Sequence, residues 1–382
     1  MKEYSNKAII DSLGLPMMTS FEDLSQTLRL SPQLTHWLTS ENEKKYEIFH
    51  IPKKDGTYRE ICAPVYSLKI VQRWVLNNIL YKLKVSPYSF GFQKDGMGSP
   101  LVKCAEKHKN NLYVLKLDIK NFYPSIKRDK VYHVFTTVGY NSSVANLLTN
   151  ICVRDKNLPQ GAVTSAYLAN IVCRNLDYRI AGYCNRRDIV YTRYADDMTF
   201  SCDNRDVLKG IFGTIKKILK SEGFQLNSDK TLSMSPKCHK CVLGITINDN
   251  LIKAPRIIKR NIRAMIHTAI VTKDYSSNDK IKGYIAYVNS IESNYTEKIR
   301  TYIDKFYTSQ YSLIPEIVEA YNKNKFYSDL PDMKISEISD VFELTSRDDE
   351  ASIMSAVYCE YTDFLESRGI IDNNKTEESQ QI

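Results

Sequence analysis

Two aspartates stand side by side in the stretch IVYTRYADDMTF, which covers residues 189–200. The β-branched, aromatic and apolar residues on either side predict two strands joined by a tight turn. Asp196 and Asp197 then lie at the tip of a β-hairpin, where their negative charges repel each other. We expect a partner from outside the stretch to neutralise them, and a divalent metal ion is the candidate. An Asp-Asp pair is also common in ordinary turns, so the pair alone does not decide between these interpretations.

A third carboxylate follows another apolar strand. Asp118 ends the stretch YVLKLD at residues 113–118. A negative charge therefore follows a segment that is otherwise suited to burial. Together with Asp196 and Asp197 it could hold two magnesium ions about 3.5–4 Å apart. Magnesium prefers oxygen ligands and commonly keeps substrate phosphates in its coordination shell. The three carboxylates therefore predict a two-magnesium site that acts on phosphate groups.

Charge is distributed unevenly along the chain. The net charge of the 382 residues is +9, but residues 311–382 contain 6 Lys and Arg against 16 Asp and Glu. Residues 1–310 keep 47 basic against 28 acidic residues, a balance of +19. A basic, tyrosine-rich body of this size is typical of nucleic-acid-binding proteins, although a solvated basic surface would look similar. The acidic segment 311–382 is predicted to be a separate module that does not lie on phosphate.

The cysteines and the apolar runs indicate the cellular compartment. The nine cysteines are odd in number and scattered, which predicts reduced thiols and not a disulfide framework. The first residues lack the apolar core of a signal peptide, and we find no run of about 20 apolar residues that would cross a membrane. We therefore expect a cytoplasmic protein with no membrane partner.

Periodicity and turn signals predict a mixed α+β fold. In the first half of the chain the predicted elements are short helices within 1–40, two strands across 45–64 joined at 53–56, a helix at 66–84, a strand and helix across 111–126 and one long helix across 162–184. They are followed by the hairpin at 189–200, an amphipathic helix at 204–221, short strands at 230–236 and 240–248, basic helices from 255 to 309, and further helices in 311–382.

Several long blocks occur in an order that resembles the bacterial retron reverse transcriptases. They are GTYREICAP, LKLDIKNFYPSI, NLPQGAVTS, LANIVCRNLDYRIAGY, YTRYADDMTFS and EGFQLNSDKT. The resemblance covers nearly all of residues 20–310 and implies a right-hand polymerase fold. The implied parts are an N-terminal helical segment 1–45, fingers 46–112 with part of 141–170, a palm 113–250, a thumb 251–310 and an added acidic helical C-terminal segment 311–382.

The resemblance also implies roles for residues in the catalytic centre. Asp118, Asp196 and Asp197 match the metal ligands, and the backbone carbonyl of Ile119 would complete one metal site. Lys230 resembles the lysine proposed to protonate the leaving pyrophosphate, a general-acid role. On its own, Lys230 would be an ordinary surface lysine.

Further matches concern the incoming deoxynucleoside triphosphate. Arg59 corresponds to the basic residue that grips the triphosphate, with Lys53 as its partner, although Lys54 is close enough in register to exchange with it. Without the resemblance, Arg59 would be an exposed strand charge. Tyr123 matches the aromatic residue that blocks a ribose 2′-hydroxyl. Gln160 and Gly161 match a turn that contacts nucleotide and template, where glycine permits a close backbone approach.

Two retron-specific boxes are present with departures from the family pattern. The box before the first catalytic strand keeps Ala105 and His108 but has Cys104 where asparagine is usual, and the triplet near the primer keeps Gly244 but has Leu243 where threonine is usual. Ala166 also replaces the usual proline. The resemblance implies that His108, Gly244 and the basic thumb helix bind nucleic acid; the residues of that helix are Arg256, Lys259, Arg260 and Arg263.

The implied activity is RNA-directed DNA synthesis on a cognate structured non-coding RNA. Synthesis would start at the 2′-hydroxyl of an internal guanosine and leave a branched RNA–DNA product, msDNA, bound to the enzyme. The resemblance further implies an antiphage defence role with an effector protein, for which segment 311–382 is the predicted docking surface. Two alternatives stay open. One is another bacterial reverse transcriptase of the group II intron type, and the other is a polymerase-fold scaffold that binds nucleic acid and sequesters an effector.

Overall fold

The computed structural model describes residues 5–40, 43–53, 56–93 and 99–308. Lys54 and the predicted acidic helical segment 311–382 lie outside these residues. Helices and strands are mixed along the described part, which is the α+β fold class expected from the sequence. No helix in that part is both long enough and apolar enough to cross a membrane.

The strands of the described part are β1 Tyr46–Pro52, β2 Tyr58–Pro64, β3 Tyr113–Lys120, β4 Val190–Tyr194, β5 Asp197–Cys202, β6 Gln225–Met234, β7 Cys241–Val242 and β8 Ile245–Thr246. The α-helices are α1 Lys7–Ser12, α2 Phe21–Leu28, α3 Pro32–Thr39, α4 Tyr66–Asn78, α5 Pro100–His108, α6 Phe122–Ser125, α7 Arg128–Thr137, α8 Ser142–Cys152, α9 Ser165–Val172, α10 Arg174–Asn185, α11 Arg205–Ser221, α12 Arg256–Thr272, α13 Asn278–Ile291 and α14 Tyr295–Thr308.

A four-stranded antiparallel sheet in the order β4-β5-β3-β6 carries the predicted aspartates. Its inner strand β3 is apolar and largely buried, with Val114, Leu117 and Ile119 at 1% exposure or less. The predicted hairpin is confirmed, because β4 and β5 pair directly from Val190 opposite Ser201 to Tyr194 opposite Asp197.

Strand β6 is longer than predicted and irregular. It begins at Gln225, although a strand was expected only from 230. Lys116 lies opposite Leu232, whereas Asp118 lies opposite Asn227, so residues 228–231 bulge out of the pairing. An irregularity of this kind redirects side chains locally. Here Asn227 and Lys230, at and within the bulge, both contact Asp118.

The helix predicted across 162–184 is two helices. α9 ends at Val172 and α10 begins at Arg174, with the buried Cys173 between them at φ −78° and ψ 1°. The helix predicted for 66–84 similarly ends at Asn78 and continues as a 3₁₀ turn at Leu80–Lys82. In contrast, the amphipathic helix predicted at 204–221 is confirmed as α11, which buries Leu208, Ile211, Ile215 and Leu219 and begins at an Asn204 cap.

Two hydrophobic cores organise the described part. The larger core joins the N-terminal helices, the sheet, helix α4 and helices α6 to α11. The second core runs from α5 and β6 through β7 and β8 into the helices α12, α13 and α14, where isoleucines recur at helical spacing. The basic helices predicted from 255 onward are confirmed, and they pack on one another with polar faces outward. The limits predicted for fingers, palm and thumb remain a proposal.

Candidate active site

The three aspartates lie along one edge of the four-stranded sheet. Asp118 of β3 is directly opposite Asp197, the first residue of β5. Ala195 and Asp196 form the two-residue connection between β4 and β5. The backbone N–H of Ile119 donates to the carbonyl oxygen of Asp196 at 3.0 Å, so the hairpin tip is tied to the strand that bears Asp118. Strand register and this hydrogen bond place residues that are about 80 positions apart in sequence at one site.

The ionised forms of the two carboxylates at the hairpin tip are destabilised by burial and by neighbouring negative charges. Burial raises the pKa of Asp196 above its usual range, its own backbone N–H partly offsets this, and the charges of Asp118 and Asp197 raise it further. Burial also raises the pKa of Asp197, while Lys116 lowers it in part. A raised carboxyl pKa means that the ionised form is disfavoured, so the site has an unmet demand for positive charge.

Asp118 is held by two partners from β6. Its Oδ1 accepts a hydrogen bond from Asn227 at 3.0 Å, and its Oδ2 accepts one from the ammonium of Lys230 at 3.0 Å. Lys230 belongs to the bulged residues of β6, and its side chain is 58% exposed. The hydrogen bond to Asp118 raises the pKa of Lys230. The bulge thus brings the predicted general acid onto a predicted metal ligand.

Among the described residues, no three His, Cys, Asp or Glu side chains converge closely enough to form a finished metal cage. The donors at the sheet edge are nevertheless all oxygen atoms, the type that magnesium prefers, and two of the three carboxylates have raised pKa values. The chemistry of the residues therefore fits a divalent cation.

Beneath the hairpin lies a buried ion pair that sequence reasoning missed. Arg193 and Asp177 are both 0% exposed, and the guanidinium Nε lies 2.7 Å from Asp177 Oδ1. The Nη2 of Arg193 donates to the other oxygen of Asp177 at 2.8 Å, and the hydroxyl of Tyr191 donates to Oδ1 at 2.9 Å. The fork geometry suits a bidentate arginine–carboxylate pair.

The remaining nitrogen of Arg193 reaches the hairpin turn. Nη1 donates to the carbonyl of Ala195 at 3.0 Å and to the side-chain oxygen of Asn170 at 3.1 Å. Ala195 has φ +55°, a left-handed conformation that costs a non-glycine residue about 1–2 kcal/mol. Gly91 packs against the same turn, since a Cβ on it would lie 3.2 Å from the Ala195 nitrogen. A buried guanidinium therefore fixes the turn that carries Asp196.

One sequence signal for this network existed. Arginine is rarely buried without a partner, and Arg193 occupies a strand between apolar residues. No spacing rule, however, connects it with Asp177 on α10 or Asn170 on α9.

The residues predicted to contact the triphosphate lie on the β1–β2 hairpin. Arg59 is exposed on β2 opposite Ile51, and Lys53 is exposed just after β1, where its N–H donates to Thr57 at 2.7 Å. Tyr123 follows β3 on the short helix α6 and is half-buried against Phe122, with ring centroids 5.3 Å apart. Burial, together with the charge of Asp196, raises the pKa of Tyr123 to about 12, although Arg193 and Arg59 oppose the shift. The charges of Arg59 and of Asp196 at the hairpin tip therefore both influence the pKa of the Tyr123 hydroxyl.

The Gln160–Gly161 turn contacts the β1–β2 hairpin. The carbonyl of Gln160 accepts the N–H of Cys62 at 2.8 Å. Gly161 has φ +122°, and a Cβ there would meet the Cys62 carbonyl oxygen at 2.8 Å. The close approach expected of this glycine is therefore made to strand β2.

Comparisons with known proteins identify the family. The family model described as reverse transcriptase (RNA-dependent DNA polymerase) matches residues 51–247. Retron Ec86 reverse transcriptase of Escherichia coli is 36% identical over 305 residues, which cover 79% of this chain and 94% of that protein. The chain belongs to the bacterial retron reverse transcriptases. It is an RNA-directed DNA polymerase, and RNA template is its partner.

Two further retron reverse transcriptases and one solved structure are similar to this chain. Retron Mx65 reverse transcriptase of Myxococcus xanthus is 31% identical over 317 residues, covering 77% of this chain and 73% of that one. Retron Ec73 reverse transcriptase of Escherichia coli is 32% identical over 295 residues, covering 72% and 92%. Among solved structures, apo telomerase from Candida tropicalis matches with a TM-score of 0.45 and 14% identity, over 82% of this chain and 67% of that chain.

The retron box before β3 is a buried part of α5 in this reverse transcriptase. His108 is 0% exposed; its Nδ1 lies 2.7 Å from the Ser201 hydroxyl and its Nε2 lies 2.7 Å from the Thr192 hydroxyl. The sulfur of Cys104 is 3.1 Å from the same Thr192 oxygen. Burial lowers the pKa of His108 to about 3, so the ring is neutral. This placement leaves His108 no surface for the predicted contact with nucleic acid, because it links α5 to the sheet.

The other predicted nucleic-acid residues lie on α12 and in the turn between β7 and β8. Gly244 lies in the turn between β7 and β8 with φ +84°, after Leu243 at φ +49°. On α12, Lys259 is half-buried and pairs with Glu292 at 2.6 Å. The exposed basic residues of α12 lie on one side and share a cavity of about 260 Å³ with residues of the following helices; its lining is Arg256, Lys259, Arg260, Arg263, Glu292, Tyr295 and Lys298.

Proposed function

We propose that this reverse transcriptase copies part of a cognate structured non-coding RNA into DNA, starting from the 2′-hydroxyl of an internal guanosine. The branched RNA–DNA product then stays bound to the enzyme. The observation that carries the proposal is the pairing of Asp118 with Asp197 across β3 and β5, with Asp196 tied to the same edge through Ile119. The similarity to retron relatives supports the mode of priming.

In this proposal the sheet edge holds two magnesium ions. The ligands would be the side chains of Asp118, Asp196 and Asp197 and the backbone carbonyl of Ile119. Bound magnesium supplies charge neutralisation at the reacting phosphate and a lowered pKa for the attacking hydroxyl. Asp196 and Asp197 contribute because their burial makes them strong ligands that are poorly compensated by the protein itself.

Other side chains bind and select the deoxynucleoside triphosphate. Arg59 and Lys53 are exposed cations on the fingers hairpin, which suits phosphate oxygens. Tyr123 stands beside the hairpin tip and would exclude a ribose 2′-hydroxyl by occupying its space. Lys230 would give a proton to the leaving pyrophosphate, a transfer that requires it to turn from Asp118 toward the product.

The Gln160–Gly161 turn and the thumb would position the nucleic acid. The backbone carbonyl of Gln160 is hydrogen-bonded to Cys62 of β2, and Gly161 keeps the turn tight against the same residue. Gly244, in the turn between β7 and β8, would contact the primer end. The cations of α12 would bind the phosphates of the RNA–DNA duplex; they are Arg256, Lys259, Arg260 and Arg263.

We also propose a role in antiphage defence together with an effector protein. The acidic balance of segment 311–382 is unsuited to phosphate and suits a protein surface. This segment lies outside the described residues, so the proposal rests on its sequence alone. Its deletion should abolish co-purification of the effector without lowering DNA synthesis; unchanged co-purification would refute the docking role.

The deciding experiment is purification from cells that carry the neighbouring non-coding region, followed by sequencing of the bound nucleic acid. The control is the Asp196→Ala/Asp197→Ala variant. We expect covalently linked RNA–DNA with the wild type only. RNA without DNA in both samples would contradict the catalytic proposal.

A further inference from the structure

A second cavity lies away from the three aspartates. It has a volume of about 550 Å³ and is formed by α7, the junction of α9 and α10, the residues that follow the 3₁₀ turn after α4, and the end of α11. None of the residues predicted for catalysis, triphosphate binding or the thumb grip lines it. We call it the α7–α9 cavity. A volume of this size accommodates a small organic ligand or one nucleotide.

The floor of the α7–α9 cavity is apolar. Leu83, Val134 and Val138 are each 8% exposed or less, and Ile171 and Val172 of α9 complete the floor as half-buried residues. Such a surface favours a flat or apolar group that leaves water, and a simple inorganic anion would gain nothing from it.

The rim, in contrast, is cationic. Lys84 and Arg174 are exposed at the mouth, and neither makes a hydrogen bond or ion pair with another described residue. Lys130 is half-buried, donates to the backbone carbonyl of Glu222 and lies 4.3 Å from the centre of the Phe224 ring. Burial lowers the pKa of Lys130. With Lys82, which is also exposed on this lining, the rim therefore presents three positive charges to solvent and a fourth, that of Lys130, beneath them.

A single carboxylate lies on this lining, and it is already paired. Glu222 Oε1 is 2.5 Å from Nη1 of Arg179, so it adds little negative charge to the mouth. Asn175 and Thr137 supply polar groups between the floor and the rim. An apolar floor, polar edges and free cations together match the three parts of a nucleotide: the base face, the base edge and the phosphates.

We propose that the α7–α9 cavity binds an unpaired nucleotide of the RNA, with its base on the apolar floor and the flanking phosphates on Lys84 and Arg174. Because the catalytic residues are elsewhere, the bound nucleotide belongs to a part of the RNA that is not being copied. The cavity would thus fix the non-template portion of the RNA on the palm. This inference rests on the proposed function, since it requires an enzyme that keeps its RNA bound.

The test uses the full-length protein and a pool of short single-stranded RNAs of random sequence that carry 4-thiouridine. Ultraviolet crosslinking followed by peptide mapping reports where the bases lie. We expect crosslinks on peptides of α7 and the α9–α10 junction. In the Lys84→Glu/Arg174→Glu variant the yield of these crosslinks should fall at least about tenfold at near-physiological salt, because two phosphate contacts are removed.

A matched control comes from α11. Arg205→Glu/Lys209→Glu changes the net charge equally, at two exposed positions near the start of that helix, and should leave the crosslinks as in the wild type. Absence of crosslinks from the cavity peptides, an equal loss in both variants or no loss in Lys84→Glu/Arg174→Glu would overturn the proposal and leave the rim to a protein partner.

Extension of an oligo(dT) primer on poly(rA) separates this inference from the catalytic proposal. That reaction needs only the catalytic cleft, so both charge-reversal variants should extend the primer at the wild-type rate. A wild-type protein that fails to extend would count against the proposed catalytic roles, while the crosslinks would still decide the occupancy of the cavity.

Discussion

Replacing Arg193 with methionine should separate folding stability from active-site positioning. The substitution keeps most of the side-chain volume but removes the partner of Asp177, a carboxylate that is 0% exposed and would keep only its bond from Tyr191. Breaking a buried ion pair on one side costs about 3–5 kcal/mol. The free energy of unfolding, measured by urea titration, should fall by about that amount.

The double variant Arg193→Met/Asp177→Asn is the informative comparison. It leaves no buried charge, so most of the lost stability should return and only about 1–2 kcal/mol from missing hydrogen bonds should remain. The carbonyl of Ala195 still lacks its guanidinium donor, and the left-handed turn below Asp196 is free to relax. We therefore expect kcat for primer extension to stay about 10- to 100-fold low, since small misplacements of reacting groups carry penalties of that size.

The KM for the deoxynucleotide should change little in both variants, because Arg193 faces the β4–β5 turn and not the β1–β2 hairpin. Arg193→Lys should recover part of kcat, since an ammonium can still reach Asp177 or Ala195 but not all four acceptors. Recovery of kcat together with stability in the double variant would refute the positioning role and leave Arg193 as a purely structural residue.

Three further predictions concern separate parts of the molecule. Gly161→Ala would place a Cβ 2.8 Å from the Cys62 carbonyl oxygen in a residue with φ +122°, so the melting temperature should drop and the KM for the deoxynucleotide should rise. The control is Gly213→Ala in α11, where a Cβ meets no atom within 4 Å. This control variant should raise the free energy of unfolding by up to about 1 kcal/mol. Burial lowers the pKa of His108 from 6.5 to about 3, so only the unfolded chain takes up a proton between these values. Stability should therefore fall by about 1.4 kcal/mol per pH unit below pH 6.5, and this component of the slope should be absent in His108→Gln. Lys230→Ala should lower kcat about 100-fold with unchanged affinity for primer and template, as judged by single-turnover kinetics and filter binding; an unchanged kcat would exclude the general-acid role.

Local patterns were sufficient to predict the elements that carry the aspartates. Runs of β-branched, aromatic and apolar residues predicted the 189–200 hairpin, and an apolar run predicted the strand before Asp118; both are observed. Sequence spacing alone could not place Asp118 opposite Asp197, because that register depends on pairing between distant strands. The sequence predicted that the three carboxylates share one metal site, but not which residues face each other across the strands.

What the sequence did not reveal is non-local or depends on backbone detail. The break at Cys173 has no proline or glycine to mark it. The bulge at 228–231 arises from pairing of β6 with β3, and it explains why Lys230 meets Asp118. His108 was predicted to bind RNA, yet its ring bridges Ser201 and Thr192 inside the fold, a result that follows only from the packing of α5 on the sheet.

The charges around the hairpin divide into two groups with opposite requirements. Arg193 and Asp177 are buried and mutually satisfied, so they form a rigid support that needs nothing from solvent. Asp196 and Asp197 above them have raised pKa values, and their ionisation at neutral pH therefore costs folding free energy. Lys230 is largely exposed and cannot compensate for three carboxylates. The negatively charged aspartates thus lie on a rigid support whose net charge is zero, the Arg193–Asp177 pair. A bound divalent cation would offset the free energy that their ionisation costs the folded state.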